Sequence, residues 1–328
     1  MFGTDGVRDI ANIGLMTPET AMKLGRAFTV FLINRGAEGP RIAVGRDTRC
    51  SGQMIESALS AGITSAGGNV YSIGEIPTPG VSFSVASGHF DGGAVISASH
   101  NPAEYNGIKY LDGDGFKLSD EEELEIEGLY ETDARSERPT HGAVGRIYDA
   151  GELTGKYLNF LLGIMEKVEN RDHSILIDAA NGAASALVEP LFKNWKGPVS
   201  ILANQPDGLN INSGVGVTNM DFLRRKTMDA KAEIGIAYDG DTDRVLMCDG
   251  KGRIIDGDIM LWVIGRWLKS KGTLGSGVVA TVMSNMVLED LLAKEDIKVF
   301  RCGVGDRYVL DTMRKENSRV GGEQSGHL

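Results

Sequence analysis

The 328-residue sequence predicts an α/β protein of three similar α/β/α-layered domains with mixed, mostly parallel sheets. Three observations predict it. Apolar strand patterns alternate with helical ones along the whole chain. In three places an apolar strand runs into a polar switch (residues 45–49, 178–182 and 284–285), then a helix, then another strand. Glycine is frequent at 44 residues while aromatics make up only 6%, as a chain with many strand-to-loop switches requires. Strands separated by helices pair in parallel with both faces covered. Ligands of such sheets bind beyond the carboxyl ends of the strands, where the polar switches fall. The length exceeds one core, and the units divide at 1–150, 151–255 and 256–328.

Residues 3–9 read as a turn, in which glycines around Thr4 and Asp5 let backbone approach an anion and Arg8 adds charge. Thr17 caps a helix with Pro18 at its first position, and Ala21, Leu24, Phe28 and Phe31 form its core stripe. A strand at 41–44, a helix from Ser51 to about Ala66 and a strand at 69–73 follow. Ala94-Val95-Ile96 is a short buried strand that breaks into Ser97, Ser99, His100 and Asn101. Pro102 holds Asn101 out of the helical region, so these polar groups sit on a loop at a strand end. A strand at 108–111 leads into an Asp-Gly turn at 112–115, an acidic helix at 119–131 capped by Ser119 with a solvated face, and a polar linker at 132–150.

The second unit has a helix at 157–168, a strand at 175–177 closing on Asp178, a helix at 183–194 and a strand at 199–202. A polar loop at 204–219 precedes a strand at 234–237 that delivers Asp239-Gly240-Asp241-Thr242-Asp243-Arg244. In the third unit Asp258 caps a helix to Leu268, with a strand at 278–282, a helix at 286–293 and a strand at 299–300. That last strand ends in Gly303-Val304-Gly305-Asp306-Arg307, and the chain closes on Gly-Gly-Glu-Gln-Ser-Gly-His-Leu.

The net charge of −11 argues against a nucleic-acid surface, which needs a basic footprint, but not against a small anion in a local basic cleft. Three scattered cysteines (Cys50, Cys248, Cys302) give neither a disulfide framework nor metal spacing, so a reducing, cytoplasmic compartment is expected. The first residues leave no room for a signal peptide, and the most apolar helical stretch, 259–268, is too short for a bilayer and is interrupted by Arg266.

The chemistry concentrates in three places. Asp239, Asp241 and Asp243 alternate along the sequence, and on an extended segment they would face one side. Three like charges so close call for a cation, and oxygen-only ligands favour Mg²⁺. An EF-hand is excluded, because Arg244 and Gly250 occupy its sixth and twelfth positions. Mg²⁺ usually shares a phosphate, and Arg244 suits one. A serine of the loop after Ile96, beside His100 and near Lys109, then becomes a candidate phosphoryl carrier. No nucleotide-binding glycine motif is present. The terminal Glu323, Gln324, Ser325 and His327 offer groups that match sugar hydroxyls.

Four separated blocks now carry a resemblance: residues 2–8, residues 97–102 with 106–109, residues 239–244, and residues 321–327. In this order they resemble the α-D-phosphohexomutase superfamily, and residues 303–308 resemble its bacterial phosphoglucosamine mutase branch. The resemblance covers essentially the whole chain. It implies that Ser99 is the phosphoserine, and that Asp239, Asp241 and Asp243 with a Ser99 phosphate oxygen hold Mg²⁺. It further implies that Arg8, His100, Lys109 and Arg244 line the transfer site. Glu323, Ser325, Gly305 and Asp306 would bind substrate, and Lys109 and His327 are acid/base candidates. The implied reaction interconverts glucosamine 6-phosphate and glucosamine 1-phosphate through a bisphosphate, serving UDP-N-acetylglucosamine synthesis. The expected partner is thus a small hexosamine phosphate, not a nucleic acid or membrane, and a homodimer is left open.

Two departures stand out. Asp9 occupies a place where the family often has glycine, and no Arg-Ser-Gly-Thr-type phosphate loop occurs. The third domain is therefore expected to be incomplete and the fourth absent, with weak or no mutase activity in this chain. The rival readings are a phosphomannomutase or phosphoglucomutase, a Mg²⁺-dependent sugar phosphatase and a noncatalytic sugar-phosphate binder. Gln324 and residues 305–307 favour glucosamine among the sugars.

Overall fold

A computed structural model describes residues 1–3, 6–133, 138–169 and 171–328, in which three sheets follow one another along the chain. Thr4 and Asp5 of the entry turn, and residues 134–137 of the expected linker, lie outside the described residues.

The first unit runs β1 (Val7–Ile10), α1 (Pro18–Asn34), β2 (Arg41–Arg46), α2 (Gly52–Ser65), β3 (Asn69–Glu75), α3 (Thr78–Gly88), β4 (Gly92–Ile96), β5 (Tyr105–Leu111), α4 (Asp120–Glu131) and β6 (Ile147–Asp149). Its sheet has the order β1-β5-β4-β2-β3-β6. β6, β3, β2 and β4 are parallel, while β5 and β1 add antiparallel strands at one edge. Alternation decides the layers. Ile42, Val44, Ala94 and Ile96 point to a cluster with Leu24, Phe28, Ile55, Leu59 and Ile126 from α1, α2 and α4. Ala43 and Val95 point the other way, to Val81 and Val85 of α3. Both faces are buried, which is why these strands read as unbroken apolar runs.

The second unit comprises α5 (Glu152–Met165), β7 (Ile175–Asp178), α6 (Ser185–Phe192), β8 (Val199–Leu202), α7 (Met220–Asp229), β9 (Ile234–Tyr238), β10 (Val245–Asp249) and β11 (Ile254–Ile255). Its order, β11-β10-β9-β7-β8, again joins parallel strands to an antiparallel edge. Leu153 and Tyr157 of α5 pack on the α3 side of the first sheet. The third unit comprises α8 (Gly257–Ser270), β12 (Val278–Thr281), α9 (Met286–Ala293), β13 (Val299–Cys302), α10 (Asp306–Glu316) and β14 (Val320–Gly322), with the parallel order β13-β12-β14.

One plan underlies all three sheets. β2, β7 and β12 are the central strands, flanked on one side by β3, β8 and β13 and on the other by β4, β9 and β14. The loops after β4, β9 and β14 begin at Ser97, Asp239 and Glu323. The three motifs singled out in the sequence therefore leave topologically equivalent strands.

Several expectations need correction. Residues 7–10 are an edge strand paired with β5, not only a turn. The linker ends in β6, which pairs with β3. Helix α8 is capped by Asp256, whose side chain accepts from the Ile259 amide, because Asp258 is already inside the first turn and accepts from the Asn285 amide. The Ser119 cap holds, closed by Glu122 into a capping box. The face of α4 is only partly solvated, since Ile126 is buried and Asp120 and Glu123 bind Arg307. No helix among the described residues is long and apolar enough to cross a membrane.

Phe28 of α1 is fully buried and stacks on Tyr110 of β5 with ring centroids 4.1 Å apart. Phe28→Ala should lower unfolding free energy by about 3–5 kcal/mol. Leu124→Ala on the exposed side of α4, where Leu124 is 66% accessible, should stay within about 0.5 kcal/mol of the parent. Urea unfolding followed by circular dichroism checks both, and equal midpoints would refute this account of the core.

Candidate active site

β4 ends at Ile96, and the chain turns through residues 97–104 before returning as β5. At the apex Ser99 has φ +49°, a left-handed conformation uncommon for a residue with a Cβ. Its backbone is held from both sides. The Ser99 amide donates to Ser97 Oγ at 2.8 Å, and Ser97 Oγ donates to Asp47 Oδ2 at 2.6 Å. The Ser99 carbonyl accepts from Arg49 Nη2 at 3.0 Å and from Asn212 Nδ2 at 2.8 Å. The side chain is thereby directed at the second unit, where Ser99 Oγ donates to Asp239 Oδ2 at 2.5 Å.

Asp239 begins the connection between antiparallel β9 and β10. This segment is a tight turn, not the extended stretch on which alternation would align the carboxylates, and Thr242 sits at φ +62°. The carboxylates converge nonetheless, with one ligand oxygen from each of Asp239, Asp241 and Asp243 within 4.8 Å of the others. Gly240 permits the approach, because a Cβ there would lie 2.7 Å from the Ser99 carbonyl oxygen and 2.7 Å from Ile211 Cδ1.

Positive charge and donors gather around the three carboxylates. Lys109 Nζ, from β5, lies 2.9 Å from Asp241 Oδ2 and 3.3 Å from Asp243 Oδ2. Thr78 Oγ1, at the start of α3, donates to Asp241 Oδ2 at 2.7 Å. The Arg244 amide donates to Asp239 Oδ1 at 3.1 Å. Burial, then the neighbouring Asp241 and Asp243 carboxylates, push Asp239 well above the usual carboxylate range, against the Ser99 hydrogen bond and Arg244. Asp243 Oδ1 is buried without a hydrogen-bond partner among the described residues. An oxygen-only donor set with an orphaned buried carboxylate oxygen and a carboxyl destabilised as an anion fits a hard divalent cation.

His100 Nδ1 lies 3.4 Å from Ser99 Oγ and 3.0 Å from Arg244 Nη1. Burial, then Arg244 and Arg8, hold His100 below its ordinary value. Arg8 reaches the same loop through Asn101 Oδ1 at 3.4 Å. Ser99, His100, Lys109, Arg8, Arg244 and the Asp triad are thus brought to one place.

The third unit faces them across a cleft of about 830 Å³ lined by Thr78, Lys117, Asp243, Arg244, Asp306, Glu323 and His327, among others. Glu323 Oε1 accepts from the Gly305 amide at 2.8 Å, and Oε2 accepts from Ser325 Oγ at 3.1 Å. His327 Nε2 lies 3.4 Å from Asp306 Oδ2, which is also 2.8 Å from Lys117 Nζ. The Gly326 carbonyl accepts from the Val245 amide at 3.0 Å, docking this loop beside Arg244. Glu323, Ser325, Gly305, Asp306 and His327 therefore form a second group across the cleft from the first.

Thr78, Asp47, Arg49 and Asn212 join the site without a role that the sequence alone declares. Asp47 and Arg49 lay in a recognised polar switch and Asn212 in a recognised polar loop. Thr78 opens α3, and Pro79 lies in the first turn of that helix, where it is tolerated.

Residues 1–137 match the family described as phosphoglucomutase/phosphomannomutase, alpha/beta/alpha domain I, and residues 256–328 match its alpha/beta/alpha domain III. The chain is 46% identical to the phosphoglucosamine mutases of Bacillus velezensis and Bacillus subtilis, in each case over 100% of this chain and 73% of the relative. The crystal structure of a phosphoglucomutase/phosphomannomutase family protein from Burkholderia thailandensis superposes with a TM-score of 0.84 at 26% identity, covering 98% of this chain and 70% of that one. On the strength of that identity along its whole length, the chain belongs to the phosphoglucosamine mutase family of the phosphohexomutases and is a mutase.

Proposed function

We propose that this mutase interconverts glucosamine 6-phosphate and glucosamine 1-phosphate by way of a phosphoryl group carried on Ser99 Oγ. The observation that carries the reading is the approach of Ser99 Oγ to Asp239 at the mouth of three converging carboxylates. A hydroxyl in that place exchanges its hydrogen bond for a phosphate only where positive charge is at hand. Asp239, Asp241 and Asp243, with a phosphate oxygen on Ser99, would hold Mg²⁺, which when bound offsets negative charge on the group in transfer.

The chain's own residues do the rest. The free hydroxyl oxygen of the sugar bonds to phosphorus as the bond from phosphorus to Ser99 Oγ breaks. The hydroxyl proton leaves to a base, and Ser99 Oγ regains a proton. The bisphosphate so formed turns over, and Ser99 Oγ takes back the phosphoryl group from the other end. His100, Arg244 and Arg8 supply donors around the loop, and Lys109 and His327 are the acid/base candidates. Glu323 and Ser325, with Gly305 and Asp306, are the sugar-side groups. The units 1–150, 151–255 and 256–328 would each supply one part: phosphoryl carrier, cation ligands and sugar loop. The proposed setting is the cytoplasm, in the supply of UDP-N-acetylglucosamine.

Phosphopeptide mapping after incubation with glucosamine 1,6-bisphosphate, with and without Mg²⁺, tests the reading. Labelled phosphate should appear on Ser99 and pass to the sugar on addition of unlabelled glucosamine 1-phosphate. A Ser99 that never carries phosphate would sink the mechanism. Release of inorganic phosphate without isomer would mark a phosphatase instead. Ser99→Ala should lower any isomerisation by about 10³-fold or more, measured by coupled assay alongside circular dichroism. Asp241→Asn should raise the Mg²⁺ concentration that half-saturates transfer by about 100-fold. An unchanged Mg²⁺ titration in that variant would remove Asp241 from the cation site.

A further inference from the structure

We propose that Arg49, seconded by Asn212, is the positioning residue for Ser99 in phosphoryl transfer; the inference rests on the reading of Ser99 as the carrier. Arg49 is the largest fully buried side chain among the described residues, at 1% accessibility. All its side-chain N–H groups are used. Nε donates to Asp47 Oδ2 at 2.9 Å. Nη1 donates to the Tyr105 carbonyl at 3.0 Å and to the Pro102 carbonyl. Nη2 donates to the Ser99 carbonyl at 3.0 Å and the Asn101 carbonyl at 2.8 Å. The loop from Ser99 to Tyr105 is therefore wrapped around one planar guanidinium.

This arrangement sets geometry, not merely stability. Asp47 is aligned by the Arg49 amide at 3.0 Å and by Ser97 Oγ, and Ser97 Oγ in turn receives the Ser99 amide. Ser97, Asp47 and Arg49 thus close a ring that grips Ser99 by its N–H on one side and its C=O on the other. The left-handed φ of Ser99 is held between these grips, and it aims Oγ at Asp239. Asn212 Nδ2, from the second unit, donates to the same two carbonyls, Ser99 at 2.8 Å and Asn101 at 3.0 Å. Each carbonyl receives two donors, one from each unit, which uses both lone pairs. The loop that carries the nucleophile is thereby registered against the unit that carries the Asp triad. Lysine cannot replace the fork, since its donors radiate from one nitrogen.

The test is a single-turnover measurement on the full chain. Protein is mixed with Mg²⁺ and glucosamine 1,6-bisphosphate at a series of concentrations, quenched, and phosphate on Ser99 is read by mass. A displacement of roughly 1 Å at the nucleophile costs about 100-fold in rate, so Arg49→Lys should lose about 100-fold of the saturating rate and Asn212→Ala about tenfold. The concentration giving half the saturating rate should hold within about twofold, since neither residue is placed against the sugar. Phe28→Ala, measured below its unfolding transition, should keep the parent rate and so separate positioning from stability. A folded Arg49→Lys protein with the parent's rate overturns the proposal, as does a change confined to the half-saturating concentration. If Arg49→Lys does not fold, Asn212→Ala decides, and a parent-like rate there overturns the proposal. Absence of phosphate on the parent's Ser99 overturns both this inference and the reading beneath it; phosphate on the parent with equal rates in the variants overturns this inference alone.

Discussion

Burying three carboxylates against one serine hydroxyl is the constraint to which the rest of the structure answers. Asp239 and Asp241 are almost wholly removed from solvent, and burial with the neighbouring Asp241 and Asp243 carboxylates disfavours the ionised form of Asp239. The protein meets this with groups from three elements. Lys109 comes from the antiparallel edge of the first sheet, Thr78 from the first turn of α3, and the Arg244 amide from the turn itself. The positive end of α3 near Asp241 acts in the same sense. The Arg244 amide is local to the turn, but Lys109 and Thr78 come from the first unit, so the carboxylates gain these partners only when the first and second units are docked.

The three equivalent strands explain how one plan yields a composite site. β4, β9 and β14 each lie beside a central parallel strand, and each ends at the same edge of its own sheet. After β4 and β9 the chain returns directly as an antiparallel strand, with no helical crossover between. In the first unit it carries a hydroxyl, in the second a set of carboxylates, in the third a carboxylate, hydroxyl and imidazole. Repetition places three loops of different chemistry around one cleft. The preceding switch, after β2 and β7, repeats a detail as well: Asp47 and Asp178 each accept from the amide two residues on. These aspartates stiffen the scaffold from which the loops project.

What the sequence showed and hid follows from the same physics. Buried strands flanked by polar switches were visible because burial on both faces leaves continuous apolar runs, as at residues 94–96 and 175–177. Helices α1 and α4 were visible because their caps are side chains that sequence displays: Thr17 and Ser119. α7 and α10 are strongly polar helices packed by one narrow face, in which Leu223 and Val309 are the buried apolar residues, so period alone did not declare them. Ser99 and the Asp triad were legible as motifs, but the carboxylates converge on a turn that Gly240 permits, not on an extended segment. Arg49 was not legible as part of the site, because its partners are backbone carbonyls at residues 99–105, and carbonyls leave no trace in sequence.

The contact that closes the cleft is of a different kind from the cores. Between the first and third units, Lys117 pairs with Asp306, Arg307 pairs with Asp120 and Glu123, Tyr308 donates to Asp120, and Arg314 lies over the Phe116 ring at 4.2 Å. Partly exposed ion pairs of this sort contribute about 0–1 kcal/mol each and weaken with salt. An apolar seam of equal area would hold far more tightly. A cleft that must admit a sugar phosphate and give a bisphosphate room to turn gains from walls joined by such contacts, while the carrier loop needs the opposite. The structure divides its interactions accordingly: a buried guanidinium with every donor satisfied fixes Ser99, and solvent-accessible ion pairs hold the facing wall.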